Sequence, residues 1–167
     1  MSRLLKNERI LTIITVVKND KENILNTIKS VLKQNTKKFE YIIFDGNSTD
    51  GTSKIIKNLK SKKIRYFRSK DLNLYDAINK SINIAKGKYI GVLHSGDIFL
   101  DKSHLKKIIK ILNKEPDVVS GNLAFYENYD KKILTTRIWR YPLNKFNFFS
   151  LFKIPHPSVY VKKKLIK

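Results

Sequence analysis

Three polar stretches interrupt the apolar runs of this 167-residue chain, and each carries carboxylates near the point where an apolar run ends. The first, DGNSTDGT at residues 45–52, directly follows FEYIIF. A carboxylate at a strand end can accept a hydrogen bond from a nucleobase imide or a ribose hydroxyl, and Gly46 and Gly51 allow a tight backbone path beside Asp45. Asn47 stands in the same turn as a further ligand candidate, while Ser48, Thr49 and Asp50 supply donors. The same residue types cap helices, and Asp50 suits the start of the helix that follows. Another stretch, LHSGD at residues 93–97, stops an apolar run at Asp97. A hard divalent cation shared between one or two carboxylates and a diphosphate would suit Asp97. His94 and Ser95 would form the floor of such a site, with Gly96 permitting close approach. Ser-Gly-Asp is equally common turn chemistry. Between these two lies SKDLNLYDAIN, residues 69–79, a polar connection with Asp71 and Asp76.

Several chemistries are excluded. No GxxxxGK[ST] occurs and no GxGxxG follows the first apolar run, which removes the simplest phosphate-loop and dinucleotide readings. His94, His104 and His156 lack ligand spacing, and His104, amid lysines, reads as a solvated face residue. The absence of cysteine removes disulfides and thiolate metal sites and fits a reducing compartment. The formal net charge of +21 invites a nucleic-acid partner, but the excess is mostly Lys spread over every segment while Arg is scarce. No nucleic acid is expected; attraction to anionic lipid headgroups is the better use of the charge. No apolar run approaches the roughly 18 residues of a membrane span, and residues 1–9 are polar, unlike a signal peptide. The expected location is the cytoplasm, at most peripheral on the inner face of the cytoplasmic membrane.

The elements that must position these residues follow from the apolar pattern. ILTIITVV (10–17), FEYIIF (39–44), IRYFR (64–68) and YIGVL (89–93) read as strands, and the runs without alternation suit strands covered on both faces. Helices are expected over 21–34, capped by Asp20, from about 52 onward through Ile55, Ile56 and Leu59, over 75–85, and after Asp101 through Leu105, Ile108, Ile109 and Leu112. Strand and helix alternate, so the fold class is α/β, a mainly parallel sheet with right-handed crossovers. Ligands in such sheets sit beyond the carboxyl ends of the strands, so the loops after Val17, Phe44, Arg68 and Leu93 should share one edge. After Pro116 shorter strands are expected at 118–120, 123–126 and 132–139, with a turn at 128–131, as antiparallel additions to the sheet. FNFFSLF (146–152) reads as an aromatic cluster and IPHPSVYV (154–161) as the approach to a last strand.

TIITVVKND, FEYIIFDGNSTDGT and SKDLNLYDAINKSINIAKGKYIGVLHSGD together resemble the nucleotide-binding half of the family 2 glycosyltransferases, in particular the bacterial enzymes of exopolysaccharide, capsule and lipopolysaccharide synthesis. VVSGNLAFY and IPHPSVYVKKKL resemble the stretches that follow the metal motif there. The resemblance implies a single GT-A domain over 1–167, a Rossmann-like three-layer α/β/α architecture with a nucleotide-binding half (8–115) and the start of an acceptor half (116–167). It implies that Thr15, Val17 and Asn19 line the nucleoside pocket, that Asp45 contacts the base, usually uracil, and that Asp71, Tyr75, Asp76 and Asn79 border the sugar-diphosphate. Asp97 matches the last carboxylate of the metal motif and would hold Mg²⁺ or Mn²⁺. The implied activity is inverting transfer from a UDP-sugar to a glycan or lipid-linked acceptor.

The sequence departs from the family pattern in places. LHSGD keeps only one carboxylate of the metal string. Asn73 stands where Gly is usual, which suits Asn because it also adopts positive φ. Ser69 replaces a frequent Glu, and Lys70 adds a cation that could meet a phosphate. The family's acidic general base is expected beyond Lys167, and Glu127 and Asp130 match no motif. A non-catalytic nucleotide-sugar-binding remnant or partner subunit is therefore the alternative expectation.

Overall fold

A computed structural model describes residues 9–70, 73–129, 132–139 and 156–166 of the chain. The elements run β1 (Leu11–Val17), α1 (Ile24–Leu32), β2 (Phe39–Asp45), α2 (Thr52–Asn58), β3 (Ile64–Arg68), α3 (Leu74–Ile84), β4 (Tyr89–Val92), α4 (His104–Leu112), β5 (Val118–Ser120), β6 (Leu123–Tyr129), β7 (Lys132–Trp139) and β8 (Val159–Lys162). A six-stranded sheet has the order β3-β2-β1-β4-β8-β5. The first four of these strands are mutually parallel, while β8 is antiparallel to both β4 and β5. β1 is central and buried at every residue, as its run of β-branched and aliphatic side chains demands.

Two apolar layers sandwich the sheet. On one face Ile13, Val17, Tyr41 and Ile43 pack with Ile24, Ile28 and Val31 of α1, Ile56 of α2, and Leu105, Ile108, Ile109 and Leu112 of α4. On the other, Ile14, Val16, Ile42 and Phe44 meet Ala77 and Ile82 of α3. At the amino edge the buried Glu40 accepts from Thr12 Oγ1 at 2.8 Å, the Lys86 amide at 2.8 Å, Arg9 at 3.1 Å and Arg65. Burial works against ionising Glu40, but these donors prevail and hold its pKa below the usual value. That knot ties three strands and the entry to β4 into one register. Gly87 makes the entry possible, because a Cβ there would lie 2.5 Å from the Thr12 nitrogen.

The helix starts differ from expectation. α1 begins at Ile24 after a turn, and the Asp20 carboxylate accepts from Asn23 Nδ2 at 2.7 Å and caps no helix amide. Asp101 lies before the Ser103 cap of α4 and accepts from the Ser103 amide and hydroxyl. Asn73 is extended, with φ −158°, and its side chain accepts from the Asp76 amide. It suits its position as an N-cap rather than through positive φ.

The late chain divides. β5 and β8 join the sheet, whereas β6 and β7 pair with each other as a separate antiparallel ribbon. β8 occupies the free edge of β4, and β5 pairs with β8 in turn, so the ribbon is displaced from the sheet. β6 extends to Tyr129, beyond the expected strand end and into the segment expected to turn. The aromatic cluster at 146–152 lies outside the described residues. Among those described, no helix is long and apolar enough to cross a membrane.

Candidate functional site

The loops after β1 and β2 are stitched together at the carboxyl edge. The Asn19 amide donates to Ser48 Oγ at 2.9 Å, and the Thr49 amide to Asn19 Oδ1 at 2.8 Å. The Asp20 amide donates to Thr52 Oγ1 at 3.0 Å and the Lys21 amide to Asp50 Oδ2 at 3.0 Å. Asn19 and Asn47 have left-handed backbones, φ 51° and 62°, and both are exposed. Asp50 also accepts from the Thr52 amide and hydroxyl, so it organises the start of α2 as expected. Arg68 donates to the Ser48 carbonyl at 2.9 Å. Lys18, Arg68 and Lys70 are exposed at this edge.

Beneath these loops, three of the residues expected to meet a ligand are buried. Thr15 bonds Tyr41 Oη at 3.1 Å inside the core, and Val17 packs in the apolar layer. Asp45 is 0% exposed. Its Oδ1 accepts from the Ser48 amide at 2.8 Å, and its Oδ2 from Ser53 Oγ and from Tyr66 Oη at 2.7 Å. Burial opposes ionisation, but the donors on Ser48, Ser53 and Tyr66 outweigh it and hold the carboxyl below the usual carboxylate range. In this conformation Asp45 shapes the loop from below; contact with a base requires the loop to open. Tyr66 gave no signal in the sequence because it meets Asp45 across 21 residues, and Ser53 read only as one more polar residue at the start of a helix.

At the start of α3, Tyr75 is 74% exposed, and Asn79 is exposed as well. Asp76 is half-buried and pairs with Lys80 at 2.9 Å. Asp71 lies outside the described residues.

The turn beyond β4 is held by α1 and by the ribbon. Gly96 has φ +96°, a conformation costly for a residue with a side chain. Its N–H donates to Thr27 Oγ1 at 3.0 Å, and its carbonyl accepts from Tyr126 Oη at 2.9 Å. Thr27 is fully buried within the apolar stripe of α1, and a polar residue on such a stripe is the signal that could have found it. Ser95 Oγ is buried without a partner among the described residues. Asp97 is half-buried, and no described side chain donates to its carboxylate or pairs with it. Burial pushes its pKa above the usual value, against the weaker pull of the His94 ring and amide. His94, Ser95 and Asp97 share the turn beyond β4.

Among the described residues no three His, Cys, Asp or Glu side chains gather into a metal cage. A single carboxylate with no ion pair among the described residues still fits Mg²⁺ or Mn²⁺, which commonly take one or two carboxylates and complete their shell with phosphate oxygens and water. Asp97 is the residue that would hold such an ion.

Beside Asp97 a cavity of about 350 Å³ opens between the 93–101 segment, α4, the ribbon and β8, with His104, Asn122, Tyr126 and Tyr160 in its wall. His104 is not a solvated face residue. It stacks on Phe99 at 4.9 Å and its Nε2 lies 2.8 Å from Tyr160 Oη, and burial lowers its pKa. Sequence spacing missed it because Phe99 and Tyr160 reach it from other elements.

Comparison with known proteins gives the family and the fold. The model of the family "Glycosyl transferase family 2" matches residues 12–164. An uncharacterised glycosyltransferase of Methanocaldococcus jannaschii is 29% identical over 95% of this chain and 57% of its own length. The Escherichia coli UDP-Glc:alpha-D-GlcNAc-diphosphoundecaprenol beta-1,3-glucosyltransferase WfaP is 31% identical over 80% of this chain and 52% of its own. The chain thus spans about half the length of these two relatives. Among solved structures, residues 1–349 of Staphylococcus aureus TarS superpose with TM-score 0.69 at 17% identity, covering 94% of this chain and 48% of that one. The Pyrobaculum calidifontis mannosyltransferase PcManGT, in complex with GDP-Man and Mn²⁺, gives 0.61 at 19% identity over 70% and 36%. The fold is the expected three-layer GT-A type with a mostly parallel sheet. With its pattern matched from β1 to beyond β8, the chain belongs to glycosyl transferase family 2.

Proposed function

We propose that this domain binds a UDP-sugar across the carboxyl edge of β1, β2 and β4, and that the whole protein transfers the sugar to a glycan or lipid-linked acceptor in cell-surface polysaccharide synthesis. The observation that carries the reading is Asp97: a half-buried carboxylate without a cationic partner among the described residues, beside the unpartnered Ser95 hydroxyl and on the same edge as the stitched loops. Burying a charge without compensation is costly, and a metal-diphosphate supplies the compensation.

The nucleoside would lie on the exposed Asn19 and Asn47, over Thr15, Val17 and Asp45. The last of these contributes by holding the 46–53 loop, and by direct contact with the base once that loop opens. Lys18, Arg68 and Lys70 offer cations to the diphosphate, and Asp71, Tyr75, Asp76 and Asn79 border the sugar. His94 and Ser95 form the floor below it. When bound, Mg²⁺ or Mn²⁺ would neutralise charge developing on the departing diphosphate. Transfer by inversion joins the acceptor oxygen to the anomeric carbon as the bond to the diphosphate oxygen breaks. The electron pair leaves with the diphosphate, and the acceptor proton passes to a base.

The names of the relatives support a UDP donor and a lipid-linked acceptor, since WfaP is named for UDP-Glc and a diphosphoundecaprenol acceptor, and TarS has been crystallised with UDP-GlcNAc. The +21 charge supports work at the anionic inner face of the cytoplasmic membrane. Calorimetric titration of UDP, GDP and ADP into the chain with Mn²⁺ tests the reading. UDP is expected to bind best; preference for GDP would revise the base assignment, and absence of binding by all three would overturn the proposal.

A further inference from the structure

We propose that Tyr126, on the ribbon outside the main sheet, is a positioning residue for the metal carboxylate Asp97. The inference rests on the nucleotide-sugar reading above and adds a residue from the second half of the chain to the donor site.

The peptide unit joining Gly96 to Asp97 carries the Gly96 carbonyl, and Tyr126 Oη donates to that oxygen at 2.9 Å. The Gly96 N–H is fixed by Thr27 of α1 at 3.0 Å. Gly96 has the most permissive backbone of any residue type, so without both bonds the turn has several accessible conformations. The two bonds span 69 and 30 residues of sequence, so tertiary structure adds to the turn's own bond, from the Asp97 amide to the His94 carbonyl at 3.1 Å, in setting the Asp97 backbone. Within the ribbon, the pairing register shifts between Phe125 and Tyr126, leaving Thr136 as the extra residue of β7. Such bulges twist a ribbon locally and re-aim its side chains. Tyr126 also lies in the walls of both neighbouring cavities, the one of about 350 Å³ that includes Asp97 and one of about 480 Å³ against α1. A molecule entering the first cavity therefore meets the side chain that orients Asp97.

The test compares UDP affinity of the full chain with and without Mn²⁺, by calorimetry, for wild type and Tyr126→Phe. Loss of one hydroxyl is expected to shrink the Mn²⁺-dependent gain in affinity roughly three- to ten-fold, while the metal-free affinity stays at the wild-type value. An unchanged gain in Tyr126→Phe would overturn the positioning role and leave the donor-site reading intact. So would a parallel fall in both affinities, which marks a merely structural effect. A wild-type chain with no Mn²⁺-dependent gain would sink the metal reading and this inference with it.

Discussion

Two carboxylates at one sheet edge are driven in opposite directions by their surroundings. Asp45 is enclosed but accepts from Ser48, Ser53 and Tyr66, and its pKa falls. Asp97 is less enclosed, lacks side-chain donors among the described residues, and its pKa rises. The first pattern is that of a structural anchor; the second is the one that the proposed cation would offset. Both positions were legible in the sequence, because each closes an apolar run. The difference between them was not, because two of the donors to Asp45, Ser53 and Tyr66, come from α2 and β3. Asp45→Asn replaces an acceptor oxygen with a donor facing other donors, and is expected to cost about 1–3 kcal/mol at pH 7 by chemical denaturation. A depressed native pKa means that the wild-type contribution is complete above roughly pH 4 and is lost as the pH falls through the native value. The variant should lack that acid-side loss, and equal stability of the two proteins at pH 7 would contradict the anchoring role.

At the scale of elements, the order of strands and helices through α4 follows from apolar runs and helical spacing, and the structure agrees within a few residues at each end. The ribbon is where the sequence reading stopped short. Strand character in β6 and β7 is readable from composition, but which edge a strand joins depends on competitors, and β8 reaches β4 from much later in the chain. Capping residues show the same limit: Asp20 and Asp101 lie near helix starts, yet each serves the preceding turn. Close packing at the entry to β4 gives a sharper test. A Cβ on Gly87 would stand 2.5 Å from one backbone atom of β1 and 2.6 Å from another, neither free to move within the central strand. Gly87→Ala should therefore destabilise by about 3 kcal/mol or more, read as a lowered denaturation midpoint. A midpoint within error of wild type would show that β4 can shift away from β1, against the tight register described here.

For the whole molecule, the fold brings the polar stretches after β1, β2 and β4 to a common edge, as an α/β order requires. The family pattern runs through nearly all of the chain, while the chain spans about half of the two relatives compared. What composition suggested most loudly, the charge of +21, says little about the fold, since it is spread over solvent-facing positions while the site depends on a few placed groups. Thr27, Tyr126 and the His104–Tyr160 pair escaped the sequence reading because each acts across 30 or more residues. The proposed role of Asp97, holding a metal-bound nucleoside diphosphate, is tested by UDP calorimetry with and without Mn²⁺ on wild type and Asp97→Asn. The expected result is a Mn²⁺-dependent gain in wild type that disappears in Asp97→Asn, with metal-free affinity no weaker in the variant. An equal gain in both proteins would contradict it.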